Sequence, residues 1–410
     1  MAHPITQARA LFALPDYRRT WAIGGLGGTA RWLEFVAVAI FAYELTRSPE
    51  LVAILTVLRM LPYVLLGVVM GSLADQIDRR KLMTGGVAMM AATAAAMTLL
   101  TGFGSAGYLA LAAASMMAGL FWTFDMPVRR RLMLDAVPRG SIASALGFDN
   151  ATMYATRAVG PLLGGATYEL LGITGIYALI FGCYLAGMAL AWGLSGGPAQ
   201  SDATPTPAGL TLRNILPPAV LMRDRRFLIV LGTTLVFNLW CFPFITMVPV
   251  IAQKDFALSP TLVGALSACD GIGGTFGALL IGALASERTL FRFYFLGTLA
   301  FLTLVLALAL HLTLASAIGV LLALGVAAAA FSATQYALVY VRSPPELRGR
   351  ATGVLSICIG SSMFGHYHAG LLFERLGSAT AMTIMALEGL AVLLVLGVLW
   401  WRTPPHPSPA

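Results

Sequence analysis

Charged residues are scarce in this sequence, and their scarcity limits what kind of protein it can be. Lys, Arg, Asp and Glu make up 11% of the 410 residues, whereas 58% are hydrophobic and the mean hydropathy is +0.83. So apolar a chain cannot cover the surface of a water-soluble globule. Alternating ten-residue strands are also missing, while the apolar runs reach roughly 20 residues, enough for a helix to cross about 30 Å of hydrocarbon. The sequence therefore predicts an all-α integral membrane protein.

Other absences argue against enzymatic chemistry. The four cysteines include no Cys-x-x-Cys pair, so neither a disulfide framework nor a zinc site is indicated. No P-loop is present for ATP hydrolysis, and no nucleophile has an evident base partner. His366 and His368 are two residues apart and would point in different directions on a helix. We expect no enzyme activity, no cofactor and no bound metal.

The apolar runs predict twelve membrane spans. Their approximate bounds are 21–45, 51–74, 83–102, 106–127, 143–169, 173–194, 227–251, 261–284, 290–309, 315–340, 351–372 and 379–401. The first run is too long for a cleavable signal peptide and contains two charges, so it is expected to stay in the mature protein. An even number of spans places both termini on the same side of the membrane.

The distribution of basic residues predicts which side that is. With a cytoplasmic N-terminus, 20 of the 26 Lys and Arg residues fall in cytoplasmic segments, and only Arg47, Lys254 and Arg375 fall outside. This is the positive-inside pattern. We therefore expect a multi-pass protein of a bacterial inner membrane with both termini cytoplasmic. The net charge of +8 then requires no nucleic-acid partner, because the basic residues are spread over topogenic loops.

A polar segment and an internal repeat divide the chain into two halves. Residues 195–218, rich in Pro, Gly, Ser and Thr, read as a solvated linker between six spans and six. The predicted bounds are 1–194 and 227–402 for the two six-helix bundles, 195–226 for the linker and 403–410 for a disordered tail. The repeat has an offset of 205 residues, at which Gly160, Gly165, Glu169 and Gly172 match Gly365, Gly370, Glu374 and Gly377. Paired halves of this kind are used by transporters.

Two motifs carry a resemblance to a known family. The loop after the second span, GSLADQIDRRK, has Gly71, Asp75 and the basic residues Arg79 and Arg80, and it resembles the loop signature of the major facilitator superfamily. The fifth span resembles that superfamily's antiporter motif in having the residues Gly147, Gly160, Pro161, Gly164 and Gly165. The stretch from Tyr43 to Asp75 is similar to the branch that contains the enterobactin exporter and the macrolide efflux pumps.

The resemblance implies a fold and a mechanism. It implies twelve helices in two pseudo-symmetric six-helix bundles, a monomer, and proton-coupled export. It also implies that Asp75 latches the outward-facing state through the start of the eleventh helix, and that the fifth span packs against a small-residue face of the eighth, Gly271, Gly273, Gly274 and Gly277. The chain departs from the pattern at Thr156 and Asp78, where the family has Gly, and at Ser286, the second-half counterpart of Asp75.

Charged residues within spans are the first candidates for function, because burying a charge in a bilayer is costly. Arg31 and Glu34 share a face of the first span, and Arg59 lies at a depth comparable to that of Glu34. Glu34 is therefore expected to pair with Arg31 or with Arg59. The pair is either structural or part of a substrate and proton site, and the sequence leaves both readings open.

A second group of candidates involves the middle of the eighth span. Asp270 is surrounded by small residues there, and a carboxyl held away from water could take up and release a proton near neutral pH. Arg157, one helical turn before Pro161, could meet Asp270, an acidic substrate group or water. Asp125 and Asp149 are rival proton carriers, placed by the sequence closer to the cytoplasmic interface.

Large rings with a few polar groups are expected to line the cavity, which fits an amphipathic organic substrate. The candidates on helices four, seven and ten are Trp122, Asn238, Trp240, Phe244, Gln335 and Tyr336. The leading prediction is a secondary transporter that exchanges protons for a drug-like or siderophore-like molecule. Uptake, or transport of an inorganic cation, is the alternative within the same fold. A non-transporting membrane scaffold or sensor is the alternative from another class.

Overall fold

The computed structural model describes residues 4–76, 78–138, 141–195, 219–286, 288–344 and 347–403. These residues are almost entirely helical and include no strand, which confirms the all-α membrane prediction. The helices are α1 (Pro4–Ala13), α2 (Pro15–Thr46), α3 (Pro49–Gln76), α4 (Arg79–Gly102), α5 (Tyr108–Asp135), α6 (Ile142–Trp192), α7 (Ala219–Arg223), α8 (Arg225–Val236), α9 (Phe242–Lys254), α10 (Pro260–Leu284), α11 (Leu290–Leu310), α12 (Leu314–Arg342), α13 (Arg348–Gly360), α14 (Ser362–Leu376) and α15 (Ser378–Arg402). A π-helical turn, Phe237–Cys241, joins α8 to α9.

Ten helical segments among the described residues are long and apolar enough to cross a membrane. This number agrees with twelve predicted spans once two features are considered. The long helix α6 contains two spans, because Gly172 has the left-handed φ of 64° and breaks the helix between them. The eleventh predicted span lies in α13 and α14, which are separated at Ser361 and are each shorter than a full span.

The helix starts follow from local sequence. Proline, which lacks the N–H that a first turn leaves unbonded, begins α2, α3 and α10. Asp78 and Asp224 each precede two arginines and cap α4 and α8, accepting a hydrogen bond from the N–H of Arg80 and Arg226, both at 2.9 Å. The N-cap role gives a physical reason for Asp78 where the family signature has Gly.

Contacts among the described residues form two compact units. Unit 1 contains α1 to α6 together with the stretch Pro249–Ile272, and unit 2 contains α7, α8, the π-helical turn, the start of α9 and everything from Gly273 onward. The boundaries therefore fall inside α9 and α10. The domain bounds given by the sequence stay predictions, and residues 196–218 and 404–410, which include most of the linker and the tail, lie outside the described residues.

Close helix packing in both units depends on glycine. In unit 1, a Cβ atom at Gly119 of α5 would lie 2.0 Å from the carbonyl oxygen of Arg59 on α3. In unit 2, a Cβ atom at Gly273 of α10 would lie 1.9 Å from the carbonyl oxygen of Leu322 on α12. Both pairs of helices approach with backbone against backbone, as small residues permit inside membranes.

Candidate functional site

Buried ion pairs are concentrated in unit 1. A guanidinium nitrogen of Arg59 on α3 lies 3.1 Å from a carboxylate oxygen of Glu34 on α2, and both side chains are about 5% exposed. Of the two partners that the sequence allowed for Glu34, the structure selects Arg59. Arg31 instead faces Asp125 of α5, although its nearest nitrogen remains 3.8 Å from the carboxylate.

A second group of charges joins α5 to α6. Arg129 donates a hydrogen bond to Asp149, whose other oxygen lies 3.3 Å from Arg130. Asp125 lies one turn before Arg129, 3.9 Å from its Nε. Asp125, Arg129 and Asp149 are all buried.

This group corrects two expectations from the sequence. Asp125 and Asp149 were placed near a hydrated interface, and Arg129 was counted among the loop residues that fix topology. Helix α5 instead continues to Asp135 and carries Arg129 into the interior of unit 1. The sequence analysis missed Arg129 as a site residue, although its spacing of four residues from Asp125 signalled a pair on one helix face.

Trp122 covers part of this charged group. The guanidinium carbon of Arg31 lies 4.0 Å from the centroid of the Trp122 ring, and that of Arg59 lies 5.9 Å away. Phe121 and Phe124 are buried beside it and pack edge to face. The arginines of α2 and α3 therefore lie near the ring of Trp122, where cation–π attraction favours them.

Arg157 of α6 meets Asp270 of α10 within unit 1. The Nε of Arg157 donates to one carboxylate oxygen of Asp270 at 2.8 Å, and a terminal nitrogen of Arg157 donates to the same oxygen. The other oxygen, Oδ1, is buried and makes no hydrogen bond to the described residues. Arg157 also lies 5.1 Å from the ring of Trp32. The structure thus joins two residues that the sequence proposed as possible partners.

The antiporter-like motif packs in two directions. Gly160 lies against Trp32 and Leu33 of α2, and Gly164 also contacts Leu33. Gly165 instead faces Gly264 of α10, whose Cβ would in turn meet the carbonyl of Pro161. At Gly147, no atom of the described residues lies within 4 Å of the position a Cβ would take.

The partner face on α10 differs from the expected one. Gly264 and Gly271 contact α6, whereas Gly273 and Gly277 pack against Leu322 and Val326 of α12. The difference has a geometric reason, because residues two apart on a helix point to different sides. Gly264 and Gly271 therefore allow close packing on α6, and Gly273 and Gly277 allow close packing on α12.

The loop signature is only partly described. Gly71 and Asp75 belong to α3, but their side chains lie outside the part that the structure describes, so the latch stays a prediction. Arg79 forms an ion pair of 3.0 Å with Asp135 at the end of α5, and Arg80 donates to the carbonyl of Trp192. Both arginines thereby connect the start of α4 to other helix ends in unit 1.

The cavity-lining candidates in unit 2 separate into two groups. Asn238 and Gln335 belong to a buried polar network, in which Asn238 donates to the Thr234 carbonyl at 2.9 Å and Gln335 donates to the Thr234 hydroxyl at 3.4 Å. That hydroxyl lies 2.6 Å from the hydroxyl of Tyr294, which the sequence analysis missed. Tyr336 is exposed.

Phe244 does not fit the expected lining role, whereas the lining role of Trp240 stays a prediction. Phe244 has no exposed surface and packs on Phe301, because the aromatic core of unit 2 encloses it. Trp240 points its indole N–H at Glu388 of α15, 2.8 Å away. The same carboxylate oxygen lies 2.9 Å from Nε2 of His368. Among the described residues, no group of three or more His, Cys, Asp or Glu is placed to hold a metal ion.

Comparisons with known proteins are consistent with this architecture. A family model described as the Major Facilitator Superfamily matches residues 20–365. Macrolide efflux protein A of Streptococcus pyogenes is 22% identical over 354 residues, which cover 83% of this chain and 85% of that protein.

Solved transporter structures resemble the fold over nearly the whole chain. The nucleoside transporter NupG superposes with a TM-score of 0.76 at 11% identity and covers 94% of this chain and 100% of its own. A bacterial homologue of the iron transporter ferroportin, in an inward-facing state, has a TM-score of 0.67 at 17% identity and covers 96% and 98%. At these identities the structural likeness concerns the fold alone.

Proposed function

We propose a transport activity from the premise that this chain belongs to the major facilitator superfamily. It is a multi-pass membrane transporter of small molecules. Its proposed activity is proton-driven export of an amphipathic organic molecule by alternating access. The relative named Macrolide efflux protein A supports export, and the antiporter-like motif of α6 supports exchange against protons.

The pair of Arg157 and Asp270 is the observation that best supports proton coupling. One oxygen of the buried Asp270 carboxylate accepts both hydrogen bonds from Arg157, and the other makes none to the described residues. A proton arriving at Oδ1 would neutralise the carboxylate and weaken its attraction for Arg157. Release of the proton would restore the ion pair. The contact between Arg157 and Asp270 would then have two states, a closed ion pair and a weakened contact, and the proton would select between them. Coupling of transport to protons requires such a two-state contact.

The test is transport into everted membrane vesicles with an imposed pH gradient and a panel of amphipathic fluorescent compounds. We expect accumulation that collapses when the gradient is abolished by an ionophore. Asp270→Asn should remove the dependence on the gradient, because the amide cannot take up a proton. A wild-type protein that moves none of the compounds, or moves them regardless of the gradient, contradicts the proposal.

Glu169→Gln is the matched control. Glu169 is an exposed carboxylate of α6 that also contacts the segment leading into α10, accepting hydrogen bonds of 2.9 Å from the Ser259 hydroxyl and the Thr261 N–H. Both donors point at the same carboxylate oxygen, so the amide oxygen of Gln can keep accepting both. We expect the gradient dependence of this variant to equal that of the wild type. Equal loss in both variants would assign the effect to packing between α6 and α10.

Uptake and transport of an inorganic cation remain the alternatives. The ferroportin homologue shares the fold, but the described residues bring together no metal-binding group. The vesicle assay separates the directions, because an importer would accumulate the compound in right-side-out vesicles instead.

A further inference from the structure

Arg31 differs from the other arginines of the charged group in unit 1. Arg59 lies at hydrogen-bond distance from Glu34, Arg129 donates to Asp149, and Arg130 donates to Asn150 at 2.8 Å. Arg31 makes no hydrogen bond to the described residues. Its Nε is buried without a partner, and its nearest carboxylate oxygen, on Asp125, is 3.8 Å away.

That distance is too long for a hydrogen bond, so the N–H donors of Arg31 remain available. Its contact with the Trp122 ring attracts the positive charge but gives the N–H donors no hydrogen-bond acceptor. A buried cation with unused donors is costly unless an acceptor reaches it. The side chain is 16% exposed, which leaves a route for such an acceptor.

The balance of charge indicates what kind of acceptor fits. Four arginines of the group, Arg31, Arg59, Arg129 and Arg130, face three carboxylates, Glu34, Asp125 and Asp149. Glu34 and Asp149 are held by close partners, whereas Asp125 is shared loosely between Arg31 at 3.8 Å and Arg129 at 3.9 Å. One positive charge is left over. Arg129 also has a buried Nε without a partner, but it donates to Asp149 through another nitrogen, whereas Arg31 makes no hydrogen bond to the described residues.

We propose that Arg31 binds an anionic group, a carboxylate or sulfonate, on the transported molecule. The inference rests on the proposed transport function and narrows its substrate class to amphipathic organic anions. The planar guanidinium presents paired donors that match two oxygens of such a group. Trp122 holds Arg31 in position from one side, and Asp125 tunes the strength of binding through its nearby negative charge.

The experiment uses two probes that share an aromatic scaffold and differ in charge. They are 1-anilinonaphthalene-8-sulfonate, an anion, and N-phenyl-1-naphthylamine, which is neutral. Binding to the purified full-length protein in detergent is measured by energy transfer from protein tryptophans to the naphthalene ring. We expect the wild type to bind the sulfonate more tightly than the neutral amine.

Three variants test the role of Arg31 directly. Arg31→Gln should weaken sulfonate binding by about 10- to 100-fold, the range for hydrogen bonds to a charged group, and leave the neutral probe unchanged. Arg31→Lys should lose less, because it keeps the charge. Asp125→Asn should tighten sulfonate binding, since it removes the opposing charge. Because partly unfolded proteins also bind this dye, the gain supports the site only if the affinity for the neutral probe and the thermal unfolding of the variant equal those of the wild type.

The outcomes separate this inference from the proposed function. Equal affinity of the two probes, or equal loss of both in Arg31→Gln, overturns the anion site even if the vesicle assay shows proton-driven export. Binding of a cationic dye such as rhodamine 6G that disappears in Asp125→Asn would likewise overturn it, assigning the site to cations. Arg31-dependent sulfonate binding without gradient-driven transport supports the site and contradicts the proposed coupling.

Discussion

Units 1 and 2 repeat one packing contact and differ in the chemistry around it. Gly160 in unit 1 lies against Trp32 and Leu33 of α2, and Gly365 in unit 2, 205 residues later, lies against Asn238 and Leu239 of the π-helical turn. In unit 1, Gly160 thus lets α6 contact the backbone of α2. In unit 2, Gly365 lets α14 contact the backbone of the π-helical turn. The repeat seen in the sequence is therefore a repeat of packing.

The residues around these glycines diverge. Three positions before Gly160 stands Arg157, which binds Asp270, while three before Gly365 stands Ser362. Pro161 likewise corresponds to His366, which is buried and bonds through Nδ1 to the Ser362 carbonyl. The backbone contact has been kept in both units, and the charge in only one.

The interiors of the two units differ in the same way, with charged side chains in unit 1 and neutral polar side chains in unit 2. Unit 1 buries ion pairs such as Arg59 with Glu34, whereas unit 2 buries the neutral network of Thr234, Tyr294 and Gln335 beside stacked rings. Neutral hydrogen bonds hold helices together at little desolvation cost, but buried charges must be compensated and are rarely kept without a function. If the proposed function is correct, the comparison therefore predicts scaffold chemistry in unit 2 and substrate and proton chemistry in unit 1.

The largest expected effect comes from breaking the buried ion pair of unit 1. Glu34→Leu leaves Arg59 unpaired in an interior where it is about 5% exposed, and we expect a loss of about 3–5 kcal/mol of stability. The double variant Glu34→Leu/Arg59→Met removes both charges and should regain most of that loss. Thermal unfolding of the purified protein in detergent measures both.

Transport by the double variant decides what the pair is for. If it folds and still transports as the wild type does, the pair is structural; if it folds and does not transport, the pair belongs to the substrate and proton site. Gln335→Leu in unit 2 is the neutral control and should cost only about 1 kcal/mol. A double variant as unstable as the single one would contradict the assignment of the cost to an unpaired charge.

The sequence predicted the fold more completely than the site. Apolar run length gave the spans, because the bilayer fixes the length of a crossing helix. Depth counting gave Arg59 as one of two possible partners of Glu34, and the structure decided between them. The sequence misplaced Arg129, since a helix can continue past its apolar run and bury charge against a neighbour. It also misplaced Phe244, because periodicity shows which residues share a helix face but not which neighbour covers that face.

Thr234 and Tyr294 were missed for a related reason. A hydroxyl on an apolar helix looks the same in sequence whether it bonds its own backbone or another helix. Tyr294 is 60 residues from Thr234, and only the packing of α8, α11 and α12 brings the two hydroxyls and Gln335 together. The charged candidates were easier to find, because a charge in an apolar run is conspicuous wherever its partner lies.

The shared glycine packing should be equally sensitive in both units. Gly119→Ala in unit 1 and Gly273→Ala in unit 2 each place a methyl group about 2 Å from a backbone carbonyl oxygen, and a backbone cannot move aside as a flexible side chain can. We expect each to destabilise its unit by about 1–3 kcal/mol in the same unfolding measurement.

Gly182→Ala and Gly282→Ala are the matched controls, because at neither position does an atom of the described residues lie within 4 Å of a Cβ. Alanine favours a helix by about 1 kcal/mol over glycine, so both should be neutral or slightly stabilising. Destabilisation of the controls to the same extent as the test variants would show that helix packing is not what these glycines provide.

The smallest effect is expected in the neutral network of unit 2. The Tyr294 hydroxyl bonds to the Thr234 hydroxyl at 2.6 Å and donates to the Val230 carbonyl at 2.9 Å. Tyr294→Phe removes both bonds but keeps the ring, which stacks on Phe331 at 4.8 Å. We expect a loss of about 1 kcal/mol and a gradient dependence of transport equal to that of the wild type, because no charge is involved. Loss of gradient dependence in a variant that folds would place proton chemistry in unit 2 and end the division of roles between the units.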